Sequence, residues 1–522
     1  MKIIAGVLAL ALSLVGYAQP PKNITQLGVL NYPGQHLAGC WHYNHTSGKE
    51  YALVGASDGI SIVDISDPTL PMELFQLPGV TSNWHEVRVS GDFAFAVSEG
   101  FDSMGVKNGM QVIDLRFLPD SAPNYFYRGD GAILNMLETA HSIHVDADYA
   151  FVNGHNILGL GRGVLILDIG NPMNPMYLGA VTNRYCHDSF YRDNILYTSD
   201  IVDGLFSVYD ISDPANPLLL ATQATPMSFN HNSWLSDDSK YLFTTDERFD
   251  SPIGVFDITD LNNITLIDTF FNGNFTQNEV HNVRVLNDFL INPSYGSQVT
   301  IADASRPSNV IETGSFVTGN SLCWDADPYT ASGVIIATDA SSGNLYLLGP
   351  EYIRACYLEG LVTDSATGFP IPGASIEMLA ISVSCNSDFS GNYRTGYADS
   401  GSYVVRFSMT GYITQQVNVQ LQNGVLTTLN VALVPSSSGI PQSEEALVRV
   451  YTEQMNSRLR VEAGDIGIKA WNITDGSGRV VMKSEGEERG DFSVDISDLA
   501  PGLYAVELVA GSTRFVHRIT RY

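Results

Sequence analysis

Six histidines, His36, His85, His141, His187, His231 and His281, return along the chain at intervals of 44 to 56 residues. A seventh turn of the pattern carries Asn320 instead. A carboxylate or amide follows most of them: Glu99, Asn153, Asp200, Asp246 and Asn292, with Asp339 after Asn320 and a looser Ser57-Asp58 after His36. Imidazole beside carboxylate is the donor set of zinc, iron and manganese sites, so a divalent metal is one chemistry the pattern offers. The other is structural, because a ring N–H donating to a carboxylate satisfies both groups once they are buried. Extra His144 and His155 in the third turn, and Asp246, Glu247 and Asp250 crowded into "DERFDS", favour the metal locally. No nucleophile is signalled, since Gly-x-Ser-x-Gly and His-Glu-x-x-His are both absent. "GLGRG" (Gly159 to Gly163) lies between strand signals and opens no helix, which argues against a phosphate cradle. No catalytic residue is assigned.

What positions these residues is a repeat. The pentapeptides "HEVRV" from His85 and "HNVRV" from His281 are near copies. A second motif returns as "GISIVDISDPTLP", "GMQVIDL", "GVLILDIGNPMNP", "GLFSVYDISDPANP", "IGVFDITD" and "QVTIADASRPSN", anchored on Asp64, Asp114, Asp168, Asp210, Asp257 and Asp303. Each unit holds four strand signals in 42 to 54 residues, which is the period of a β-propeller blade. "GNLYLL" at Gly343 is a degenerate seventh copy without a fourth strand. The missing strand is expected from the N-terminus, where Asn23 to Gly34 resembles the outer-strand segment Asn309 to Gly319. Seven blades over residues 19–350 would then close with no open sheet edge. In that register the histidines begin the innermost strands, and the polar residues end the second strands on the same face. Histidine and partner are expected to meet near the channel mouth. The Trp-Asp-repeat propellers are similar in using such a pair as a hydrogen-bonded brace, which implies an architectural role here.

The chain has 522 residues and a net charge of −29, which opposes nucleic-acid binding. Calcium on acidic loops is not signalled by any EF-hand pattern. Residues 1–18 read as a signal peptide: Lys2, an apolar run from Ile3 to Val15, then Gly16-Tyr17-Ala18. No later stretch is long and apolar enough to cross a membrane as a helix. Of five cysteines, Cys356 and Cys385 fall in one small domain and are candidates for a disulfide.

Residues 355–435 alternate short strands with Gly turns. On Gly360, Asp364, Gly373, Ala374, Asp388, Gly391, Tyr393, Gly401, Tyr403, Gly411 and Tyr412 the segment resembles the carboxypeptidase regulatory-like, transthyretin-like domain. These are turn and packing residues, so the likeness implies a fold and no chemistry. A Pro/Ser linker at 436–445 follows. Residues 446–522 resemble the sorting domain of the type IX secretion pathway of Bacteroidetes, on Asp475, Gly478, Leu499, Gly502, Tyr504 and the tail from Arg514. The whole layout resembles the choice-of-anchor B family, whose propeller carries repeats like "SIVDISDP" and "SVYDISDP". That implies secretion or surface display and no established activity.

The expected architecture is all-β, a seven-bladed β-propeller followed by two small β-sandwich domains. The expected role is binding an extracellular protein or polysaccharide, with the type IX machinery as export partner. No cofactor is predicted. A metal-dependent lyase or hydrolase at the histidine-lined mouth is the alternative, and a purely structural surface-layer component is a third reading.

Overall fold

The computed structural model describes residues 21–101, 108–271, 278–319, 322–381, 383–436, 448–453, 457–464, 466–476, 478–484, 486–510 and 513–521. The expected signal peptide, residues 437–445 of the linker, and Asn320 lie outside them.

The repeat becomes seven four-stranded antiparallel sheets. Blade 1 runs from Leu37–Asn44 at the inside through Glu50–Ala56 and Gly59–Asp64 to Met72–Pro78 at the outside. Blades 2 to 6 follow in chain order, with innermost strands His85–Ser90, Ser142–Asp146, Asp188–Arg192, Asn230–Leu235 and Arg284–Leu286. Blade 7 takes Cys323–Asp327, Ile335–Asp339 and Asn344–Pro350 from the end of the repeat, and its outer strand, Ile24–Asn31, from the N-terminus. The innermost strands pack on one another from blade 7 through blade 1 to blade 6, and the innermost strand of blade 7 packs on the second strand of blade 6.

The "VID" aspartates explain why each blade turns where it does. Asp64, Asp114, Asp168, Asp210, Asp257 and Asp303 each accept the backbone N–H two residues on, at 2.8–3.1 Å. That is an Asx turn, and it closes the loop from third to fourth strand at the cost of one side chain. A bulge two residues before the aspartate recurs in blades 1, 3, 4, 5 and 6 and twists the outer strand away from a flat, sticky edge. Gly204, at φ +69°, shows why glycine precedes the third strand, since a Cβ there would also strike the Ser228 carbonyl.

After the propeller, Cys356–Asp364 pairs in parallel with Leu426–Thr428 and Val431–Leu433, and Asn392–Tyr397 completes that sheet. The facing sheet holds Ser375–Met378, Val383–Asn386, Gly401–Ser408 and Gln415–Leu421. Asp364 and Asp388 are turn residues: Asp364 accepts the N–H groups of Ala366 and Thr367, and Asp388 those of Ser390 and Asn392. The expected Cys356–Cys385 disulfide is not formed. Cys356 opens a strand of one sheet and Cys385 sits in an edge strand of the other. The C-terminal domain packs a three-stranded and a four-stranded sheet over Leu459, Val461, Ile473, Val506 and Leu508.

Candidate functional site

Four of the six histidines come together. His141, His187, His231 and His281 stand at or just before the start of the innermost strands of blades 3 to 6, and their rings follow one another at centroid distances of 3.9, 4.1 and 4.2 Å. Trp324 of blade 7 extends the arc, 4.8 Å from His281 and 5.3 Å from His36. His85 stands apart beside Gly79, under its own loop.

The imidazoles of His187 and His281 are oriented by the next blade. His187 Nδ1 donates to the His231 carbonyl at 3.2 Å, and His281 Nδ1 to the Trp324 carbonyl at 2.5 Å. His231 Nδ1 faces the His281 carbonyl without reaching normal hydrogen-bond geometry. A carbonyl only accepts, so the proton sits on Nδ1 of His187 and His281 and the lone pair on Nε2. Burial pushes His281 down to about 4. Burial and then neighbouring imidazoles hold His187 and His231 well below the usual histidine range. All three are neutral at pH 7.

The expected pairing of each histidine with the polar residue of its own blade does not form. Asp246 accepts from Thr225 Oγ1 at 2.5 Å and from the N–H groups of Met227 and Phe229 at 2.7 and 2.9 Å, and so fixes its own loop. Asp200 accepts the Ser207 hydroxyl, and Asn153 bonds Ser142 and Ser189. Asn292 reaches Thr300, and Asp339 accepts the Ser342 N–H. The histidine contact that does form crosses blades: Glu99 of blade 2 meets His141 Nδ1 of blade 3 at 3.1 Å. Asp339 likewise acts on His36, and Asp58 on His85. The reason is geometric. The start of an innermost strand lies against the hairpin of the preceding blade, so the carboxylate that reaches His36, His85 or His141 comes from one repeat earlier.

Beside the arc stand Glu247, Glu279 and Tyr295. One ligand-capable atom each of His187, His231 and Glu247 lies within 4.8 Å of the others. Burial, then the charge of Glu279, pushes Glu247 up to about 7.

Beneath the arc, the second and fourth residues of the two pentapeptides form a layer that sequence reasoning missed. Arg284, with no exposed side-chain surface, donates to Asp325 at 3.0 Å, and Arg88 approaches the same carboxylate at 3.7 Å. Asn282 Nδ2 also donates to Asp325 at 3.0 Å, and Trp324 Nε1 donates to Glu86 at 3.0 Å. Arg88 lies over Trp41 and Arg284 over Trp234. The Glu86 carboxyl is raised by burial, partly offset by Arg88. The signal was present, since charged residues alternating inside an otherwise apolar strand need a buried partner.

Comparison with known proteins gives three domain-level matches. Residues 47–77 and 139–183 match the LVIVD repeat, and 357–434 match the carboxypeptidase regulatory-like domain. Residues 454–520 match the secretion system C-terminal sorting domain. The chain is exported. Its sorting domain is of the type IX kind, which places the protein outside the cell or on its surface. No helix among the described residues is long and apolar enough to cross a membrane.

No curated protein matches the chain by sequence. Among solved structures it is similar to the beta-propeller domain of Myceliophteria_thermophila Cps50 (Swd1), at 12% identity and TM-score 0.46 over 64% of this chain and all of that one. It is also similar to the WD40 beta propeller domain of Doa1, at 11% identity and TM-score 0.45 over 63% of this chain and 98% of that one. The computationally designed Ika8 protein is similar at 12% identity and TM-score 0.41, over 60% of this chain and 82% of that one.

Proposed function

We propose that this exported protein binds an extracellular ligand, a protein or a polysaccharide, on the propeller face that carries the histidine arc. The observation that supports this is where apolar surface is left in water. Loops after the second strands present Phe101, Leu158, Val202 and Phe249, and links into the first strands present Trp84 and Phe271, all exposed. Those two sets of loops share the face on which the histidines stand. Loops of the opposite face offer Leu70, Phe117 and Met173. Exposed large apolar side chains gathered on connecting loops mark recognition surfaces, and the aromatic ones suit stacking on sugar rings or seating apolar side chains.

The test is binding of the full mature chain to a glycan array and to extracellular protein extracts. Leu158→Ser with Phe249→Ser should abolish it, while Leu219→Ser on the outer strand of blade 4 should leave it intact. The reverse order of effects would overturn the reading. A second reading, a metal-dependent lyase or hydrolase at the same mouth, is favoured by the proximity of His187, His231 and Glu247.

A further inference from the structure

We propose that His187, His231 and Glu247 form a binding site for one divalent first-row transition-metal ion, with zinc the best fit. The inference goes beyond ligand binding at the apolar loops and does not depend on it.

Three observations carry it. First, the ligand atoms of the three residues lie within 4.8 Å of one another. Zinc bonds of about 2.0–2.2 Å in tetrahedral geometry place ligand atoms about 3.3–3.6 Å apart, so the side chains need close by at most about 1.5 Å.

Second, the imidazoles are presented as metal ligands are. His187 spends its Nδ1 proton on the His231 carbonyl, which leaves Nε2 with no protein partner among the described residues. A ligating histidine characteristically anchors its other nitrogen on a backbone carbonyl in this way. His231 is held between the rings of His187 and His281 at 4.1 and 4.2 Å.

Third, the carboxylate stands on a fixed loop. The preceding residue, Asp246, is clamped by Thr225, Met227 and Phe229, and Glu247 N donates to the Phe229 carbonyl at 3.2 Å. Arg248, next in sequence, lies over the Phe229 ring at 3.8 Å and acts on Glu247 through its charge, while Tyr295 hydrogen-bonds the Glu247 carboxylate. Two imidazoles and one carboxylate select zinc, iron(II) or manganese(II) over calcium or magnesium, which prefer all-oxygen sites. Three protein ligands also leave a coordination position open to the face that the apolar loops surround.

The experiment titrates Co2+ into the chelator-stripped full mature chain, reads its visible ligand-field bands, and then displaces it with Zn2+. The expected result is one equivalent bound per chain, with the band intensity of a tetrahedral or five-coordinate site. Glu247→Gln should weaken Co2+ binding at least about tenfold, and His231→Ala should abolish the bands. His155→Ala removes a buried histidine outside the trio and should change nothing. Should His231→Ala fail to fold, Glu247→Gln still decides, because it is close to isosteric at a half-buried position and its near-ultraviolet circular dichroism reports the fold. Absence of stoichiometric binding at micromolar Co2+, or equal affinity in wild type and Glu247→Gln, overturns the site.

Discussion

The Asp325→Ala substitution probes the channel layer most directly. Asp325 has no exposed side-chain surface, and neither has its partner Arg284. The carboxylate accepts from Arg284 and Asn282 at 3.0 Å each and lies 3.7 Å from Arg88. With alanine there, the Arg284 guanidinium keeps one backbone bond, to Val283 O at 3.2 Å, and the face of Trp234 at 4.7 Å. Two unit charges about 4 Å apart interact by about 4 kcal/mol at an effective dielectric near 20. Removing one partner of a buried pair costs about 3–5 kcal/mol in measured cases, and the two figures agree. A loss of that size is a large share of a domain's total stability of about 5–15 kcal/mol.

Urea unfolding followed by tryptophan fluorescence is the assay, because Trp41, Trp234 and Trp324 all border this layer. Replacing both partners together, Arg284→Met with Asp325→Leu, should cost less than Asp325→Ala alone, since no charge is then stranded. A loss below about 1 kcal/mol for Asp325→Ala, or a double variant worse than the single, would refute the buried-pair account.

Acid should destabilise the propeller through its buried imidazoles. Burial holds His144 down near 3 and His155 near 4. Their contribution is therefore complete above the ordinary histidine value of 6.5 and is lost as pH falls from there toward 4, because only the unfolded chain takes up the protons. His144→Phe should flatten that limb of the stability–pH curve by up to about 1.4 kcal/mol per pH unit. Deleting 23–34 removes Ile24 and Tyr32 from burial and opens the edge of blade 7, so a loss of at least about 3 kcal/mol is expected in thermal melts. Deleting 448–522 should leave the propeller melting transition unchanged and strand the protein inside the cell envelope, which fractionation and immunoblotting would show.

The repeat was legible because its determinants are local. An aspartate that bonds the N–H two residues on writes the same turn six times, and the eye can count it. The all-β class and the sorting tail were legible for the same reason, as strings of short strands and turns. Partners across blades were not. The sequence register puts His231 and Asp246 on one face, yet Asp246 closes on Thr225, Met227 and Phe229, while the His231 ring packs against those of His187 and His281. The ring contacts join residues about one repeat apart, and no local rule of spacing favours a neighbour's ring or carbonyl over the home carboxylate. The disulfide expectation failed in a similar way, since two cysteines in one small sandwich were assumed close and fall in opposite sheets.

The near identity of "HEVRV" and "HNVRV" also has a physical reason beyond repetition. Both strands send an arginine to one acceptor, Asp325, and the single difference between them is what that acceptor tolerates. Asn282 donates its amide to Asp325, whereas Glu86 takes the indole N–H of Trp324 on the far side of the layer. Asn282→Glu would set a second carboxylate against Asp325, with Arg284 already committed to it and Arg88 shared with Glu86, and so remove a donor while adding like charge. The expected loss is at least about 3 kcal/mol, from the stranded buried charge. The converse change, Glu86→Asn, gives up the indole hydrogen bond and the 3.5 Å ion pair with Arg88, but Arg88 keeps Asp325 at 3.7 Å and the carboxyl lost is one whose ionisation burial already opposes, so its cost should stay smaller, at about 1–2 kcal/mol. Urea midpoints of the two single variants measure the asymmetry. Equal losses would mean that the layer reads only the arginines, and that the glutamate and asparagine are interchangeable.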